Sequence, residues 1–110
     1  MGRCYDRGTV TDEGVFRLSE EQVLLRDTVH ALAMERIAPR AAEIDRTAEF
    51  PWDVRDLLAE HDIFALGFPA EHGGLDAGLL SLCIAVEQIS RACASSGLML
   101  AVQSLGALPL

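Results

Sequence analysis

The sequence predicts an all-α fold of about five helical pieces, and three observations predict it. A capping box stands at Ser19–Gln22, ahead of apolar residues at three- and four-residue spacing. Pro39 and Pro51 fall where such spacing stops or starts. Nowhere do apolar and polar residues alternate as a half-buried strand requires.

Taken in order, the first helix starts at Ser19. Its hydroxyl can accept from the Gln22 backbone N–H while the Gln22 amide returns to the N–H of Ser19. Glu20 and Glu21 favour the positive end of the helix dipole. Leu25, Val29, Leu32 and Ala33 then share one face, with Leu18 on the same side before the cap. Pro39 stops or kinks this helix, because it lacks an N–H and crowds the preceding turn. A short continuation runs through Ala41, Ala42 and Ile44. Pro51 suits the first turn of the next helix, whose face is Val54, Leu57, Leu58 and His61, with Asp53, Asp56 and Glu60 toward water. An apolar passage from Ile63 to Phe68 leads into a tight loop, Pro69-Ala70-Glu71-His72-Gly73-Gly74. Leu79–Ala92 is apolar almost all round and is expected to be buried on most sides. Ser95 or Ser96 is expected to cap a last helix over Gly97–Leu105.

The chain has 110 residues and a formal net charge of −8, with no lysine. One domain fits that length. Residues 77–110 carry only Glu87 and Arg91, so the net negative charge lies in residues 1–76. An acidic chain is a poor partner for nucleic acid, having no cations to displace phosphate counterions. The absence of lysine excludes a Walker A lysine, a Schiff base and a lysine general base. Cys4, Cys83 and Cys93 form no C-x-x-C pair and suit a reducing compartment. His30, His61 and His72 lie far apart, so no metal site is expected. Residues 1–17 are polar and acidic, without the apolar core of a targeting segment. They are read as a flexible leader, and the expected compartment is the cytoplasm.

Three features invite a sharper reading. Residues 92–110 are uncharged and, as one helix, would reach about 28 Å, close to a bilayer core. Interior serines, Gln103, Gly106 and Pro109, with no flanking basic cluster, favour a buried helix over a membrane span. Glu87 and Arg91, four apart and acid first, suit a structural ion pair better than an acid–base centre. Gly73-Gly74 lacks both a preceding strand and the G-x-G-x-x-G spacing, so backbone geometry explains it better than phosphate binding.

The order of segments is distinctive: a capped helix, then IAPRAAEIDRTAEFP (residues 37–51), LGFPAEHGG (66–74), VEQISRACAS (86–95) and SLGALPL (104–110). It resembles the N-terminal helical domain of the acyl-CoA dehydrogenase family over residues 18–110. The resemblance implies a helical up-and-down bundle, truncated at its C-terminal end. It also implies a flavoprotein of fatty acid metabolism. In that family a carboxylate base takes the α-proton of an acyl-CoA substrate, a β-hydride passes to FAD, and electrons go on to electron-transfer flavoprotein. Members are homo-oligomers. The family's flavin-contacting segment and base lie in later domains, so no catalytic, cofactor-binding or metal residue is assigned here. The 110-residue chain alone is expected to be inactive and to hold no FAD. What carries over is a wall of the acyl pocket, on the substrate-binding positions Gly97, Ala101 and Leu105. Four-residue spacing puts these on one face, and two small side chains imply a roomy wall, although plain helix packing would use small residues too. The other reading open to the sequence is a non-catalytic helical interaction module derived from such a domain.

Overall fold

The computed structural model describes residues 17–107 and Pro109. The leader expected over 1–17 lies outside the described residues except for Arg17, and so does Cys4. Among the described residues the elements are helices, 3-10 and π turns and loops, with no strand. Helix α1 spans Glu20–Leu32, α2 Ala41–Thr47, α3 Trp52–Glu60, α4 Gly78–Ala92 and α5 Ala94–Ala107.

The capping box forms as the sequence predicts. Gln22 N donates to Ser19 Oγ at 3.2 Å, and Ser19 N donates to Gln22 Oε1 at 2.9 Å. Pro39 leaves a more graded mark than a stop. The chain widens into a π turn over Ala33–Ile37, tightens into a 3-10 turn over Ala38–Arg40, and resumes as α2. Proline offers no N–H to the carbonyl four residues back, and its ring needs the extra room. Thr47 ends α2 against Ala48, a left-handed residue at φ 55°.

Helix α3 follows Pro51 and buries Val54, Leu57 and Leu58, leaving Asp53, Asp56 and Glu60 exposed. His61 departs from the expected face. It lies just past the helix end, exposed, with its Nδ1 2.9 Å from the Leu57 carbonyl. Spacing alone puts it in register with Leu57 and Leu58, but the helix terminates first.

Helices α4 and α5 form a hairpin joined by Cys93 alone, which is extended at φ −158° and ψ 115°. This corrects two expectations. No serine caps α5, because the helix starts at Ala94 directly after the break. Ser96 is buried inside its first turn, and its hydroxyl finds no hydrogen-bond partner among the described residues. Nor is α4 buried on most sides. Its inner face carries Leu82, Ala85 and Ile89, but Leu79 is 75 % exposed and Leu80 and Cys83 also face outward.

The core gathers Val29, Ala33 and Ile37 of the first helical run, Leu57 and Leu58 of α3, Leu82, Ala85 and Ile89 of α4, and Leu100 of α5. Burying such side chains contributes roughly 1.5–3 kcal/mol each. One polar group sits among them. Gln88, 1 % exposed, has its Oε1 3.0 Å from His30 Nδ1 on α1. That oxygen also accepts from Arg91 at 3.2 Å, while Gln88 Nε2 donates to Glu87 at 3.0 Å. The charges expected to pair directly are thus joined through a buried amide.

Outside the core, Arg40 clamps the start of α3. Its Nε and Nη2 donate to the two Asp53 oxygens at 2.7 and 3.0 Å, and it also bonds Glu43. The Arg40 hydrogen bond holds the Asp53 carboxyl below its ordinary value of 3.8, against the opposing effect of partial burial. A carboxyl whose folded pKa is lowered stabilises the fold at pH above the unfolded value, and that share is lost as pH falls through the folded one. Asp53→Asn is therefore expected to lower the melting temperature at neutral pH. Its difference from the parent should shrink toward zero below pH 3.8 in a melting series. Both side chains are about half exposed, which keeps the effect small.

Candidate functional site: an apolar groove beside the last helix

A groove of about 790 Å³ runs between α5 and the segment from the end of α2 into α3. The 48–51 turn positions one wall, with Ala48, Phe50 and Pro51; Arg55 and Ala59 of α3 continue it. Leu98, Met99 and Val102 of α5 form the opposite wall, with Ser95 and Gln103 at its polar margins. Phe50 and Trp52 stack at the rim with ring centroids 4.6 Å apart and planes tilted by 59°. The Arg55 guanidinium lies 5.1 Å from the Trp52 ring centre and bonds Asp56 at 3.0 Å. Such a lining excludes water from apolar ligand surface and offers few directional contacts.

The three sequence-predicted positions share one face of α5, adjacent to the face that lines the groove. Gly97 is buried against α4: a Cβ there would stand 1.9 Å from Ser90 Oγ. Ala101 is half-buried and Leu105 is 65 % exposed. None of the three lines the groove. Sequence reasoning missed the Leu98–Met99–Val102 face because α5 carries no charge to distinguish an inner side from an outer one. Exposed Leu98 and Val102, four apart, were the available signal.

The chemistry of these side chains is that of a wall. Among the described residues no group of His, Cys, Asp or Glu is placed to hold a metal ion. No described helix is long and apolar enough to cross a membrane. Glu87 is exposed and engaged with Gln88, away from the groove. A dinucleotide's pyrophosphate needs converging donors, but the groove's one guanidinium is already shared between Asp56 and Trp52 and faces Glu49. The groove residues do not fit a flavin dinucleotide, and no flavin step is assigned to them.

Comparison with known proteins decides the family. The profile of the acyl-CoA dehydrogenase N-terminal domain matches residues 19–110. This chain belongs to the acyl-CoA dehydrogenase family. It is 46 % identical over 98 residues to cyclohexane-1-carbonyl-CoA dehydrogenase of Geobacter metallireducens, covering 87 % of this chain and 26 % of that one. It is 42 % identical over 93 residues to cyclohex-1-ene-1-carbonyl-CoA dehydrogenase of the same organism, covering 84 % and 24 %. It is 33 % identical over 94 residues to 3-sulfinopropanoyl-CoA desulfinase of Paraburkholderia xenovorans, covering 86 % and 24 %. The chain therefore spans about a quarter of the length of these relatives. As an acyl-CoA dehydrogenase N-terminal domain it is all-α, in keeping with the described helices.

Proposed function

We propose that this domain serves an FAD-dependent enzyme that dehydrogenates an acyl-CoA thioester between its α and β carbons. The observation that carries this reading is the family match over residues 19–110. The relatives named above share a CoA thioester in their names, two of them with a six-membered ring on the carbonyl. A compact alicyclic acyl group is accordingly the proposed substrate class. Within the whole enzyme, α5 contributes a wall of the acyl pocket on the face of Gly97, Ala101 and Leu105. The small side chain at Ala101 suits a bulky ring better than a Phe or Leu would. FAD, the homo-oligomeric assembly and transfer of electrons to electron-transfer flavoprotein belong to the same proposal for the whole enzyme.

The test is anaerobic titration of the whole purified enzyme with acyl-CoA thioesters while following flavin absorbance. Cyclohexane-1-carbonyl-CoA is expected to bleach the flavin faster than a straight-chain thioester of equal carbon number. Absence of bleaching by any acyl-CoA would overturn the reading. A straight-chain preference would overturn the alicyclic assignment alone.

A further inference from the structure

The contact between α4 and α5 rests on two small residues facing each other. A Cβ built on Gly97 would meet Ser90 Oγ at 1.9 Å and Ser90 Cα and Cβ at 2.9 Å. The hydroxyl can rotate away, but the Cα cannot, so any side chain at position 97 must push the helices apart. At the other end of the hairpin, Gly67 sits close to both helices. A Cβ on it would meet Leu82 Cδ2 at 3.2 Å and Ser104 Oγ at 3.9 Å. Helix α5 is thus held at two points, and Cys93 is its only covalent link to α4.

We propose that Ser90 and Gly97 form a seat that sets the pose of α5, and that acyl selectivity is tuned through this seat rather than by Gly97 touching the acyl group. The inference rests on the functional reading above, in which the α5 face lines the acyl pocket. The geometry makes Gly97 a positioning residue. Its missing side chain would point at α4 and not at a ligand, whereas Ala101 and Leu105 lie about 6 and 12 Å further along the helix axis. A wedge at position 97, one turn from the single-residue hinge, swings those two positions more than it moves itself. Binding sites are sensitive to such shifts, since a displacement near 1 Å can cost about a hundredfold in rate.

The experiment compares the whole enzyme with Gly97→Ala, Ser90→Gly and the double variant. Each is assayed for kcat/KM on a ring thioester and on a straight-chain thioester, with melting temperature recorded alongside. Gly97→Ala is expected to change the ratio of the two by about tenfold, a typical effect of one methyl-sized change in a pocket. Ser90→Gly combined with it removes the Oγ and Cβ clashes and should restore most of the parental ratio. Ser90→Val, which enlarges the seat from the α4 side, supplies a second route if Gly97→Ala does not fold. It should shift the ratio although Ser90 belongs to the other helix. A changed ratio that Ser90→Gly fails to rescue would show direct ligand contact and overturn the proposal. An unchanged ratio in both Gly97→Ala and Ser90→Val would overturn it as well. A parent enzyme inactive on every acyl-CoA would instead sink the functional reading, and this inference with it.

Discussion

Replacing Gly74 by alanine is expected to destabilise the protein by about 3–4 kcal/mol, near the top of the range for single substitutions. A Cβ at Gly74 would stand 2.0 Å from the Phe68 carbonyl oxygen and 2.4 Å from its carbon. Both atoms are backbone, so no rotamer change relieves the clash. The same carbonyl accepts from Asp76 N at 2.9 Å, within a set of bonds that folds 65–68 against 74–77. Leu75 N donates to the Ala65 carbonyl at 2.9 Å, and Ala77 N to the Leu66 carbonyl at 3.0 Å. Moving Phe68 therefore disturbs the whole loop, including Gly67, which holds the far end of the α4–α5 hairpin. Gly73 is the internal control. It has φ +82° but nothing within 4 Å of its Cβ position. Gly73→Ala should cost about 1 kcal/mol, the strain of a left-handed alanine. Denaturant unfolding of the two variants side by side checks the order. Equal destabilisation would mean that backbone conformation, not the Phe68 contact, requires glycine at position 74.

The readable parts of this fold were those whose cause is local. The Ser19 capping box needs four consecutive residues, and it forms as read. Pro39 and Pro51 mark helix ends because a missing N–H acts at its own position, although the π turn that absorbs Pro39 depends on packing upstream. Other features depend on residues distant in sequence. Ser96 has the chemistry of a cap, but the extended Cys93 lets α5 start at Ala94 and carries Ser96 into the core. The groove was illegible for a related reason. Its walls come from segments some fifty residues apart, and a helix without charges does not announce which apolar face meets which neighbour. Family resemblance placed Gly97, Ala101 and Leu105 on one face of α5. Only the contact with Ser90 separates the first of them from the other two.

Removing the Gln88 side chain is expected to be nearly as damaging as the clash at Gly74. Gln88→Ala should cost about 3 kcal/mol, combining a cavity beside Ile89 and Ala85 with the loss of an acceptor that serves two helices. The direction of each bond follows from the groups. Gln88 Nε2 donates to Glu87, so Oε1 is the acceptor facing His30, and His30 must carry its proton on Nδ1. Gln88→Leu separates the two contributions by keeping volume and deleting the amide. It should cost roughly half as much, because His30 is only partly buried and Arg91 is exposed, so both can turn to water. His30→Leu in the Gln88→Leu background replaces both partners across the α1–α4 contact by apolar groups. A paired deletion of this kind avoids leaving an orphaned donor, so the double variant should be less destabilised than the sum of the singles. Strict additivity in chemical denaturation would show that His30 and Gln88 act independently, and that hydrophobic packing alone docks α1 on α4.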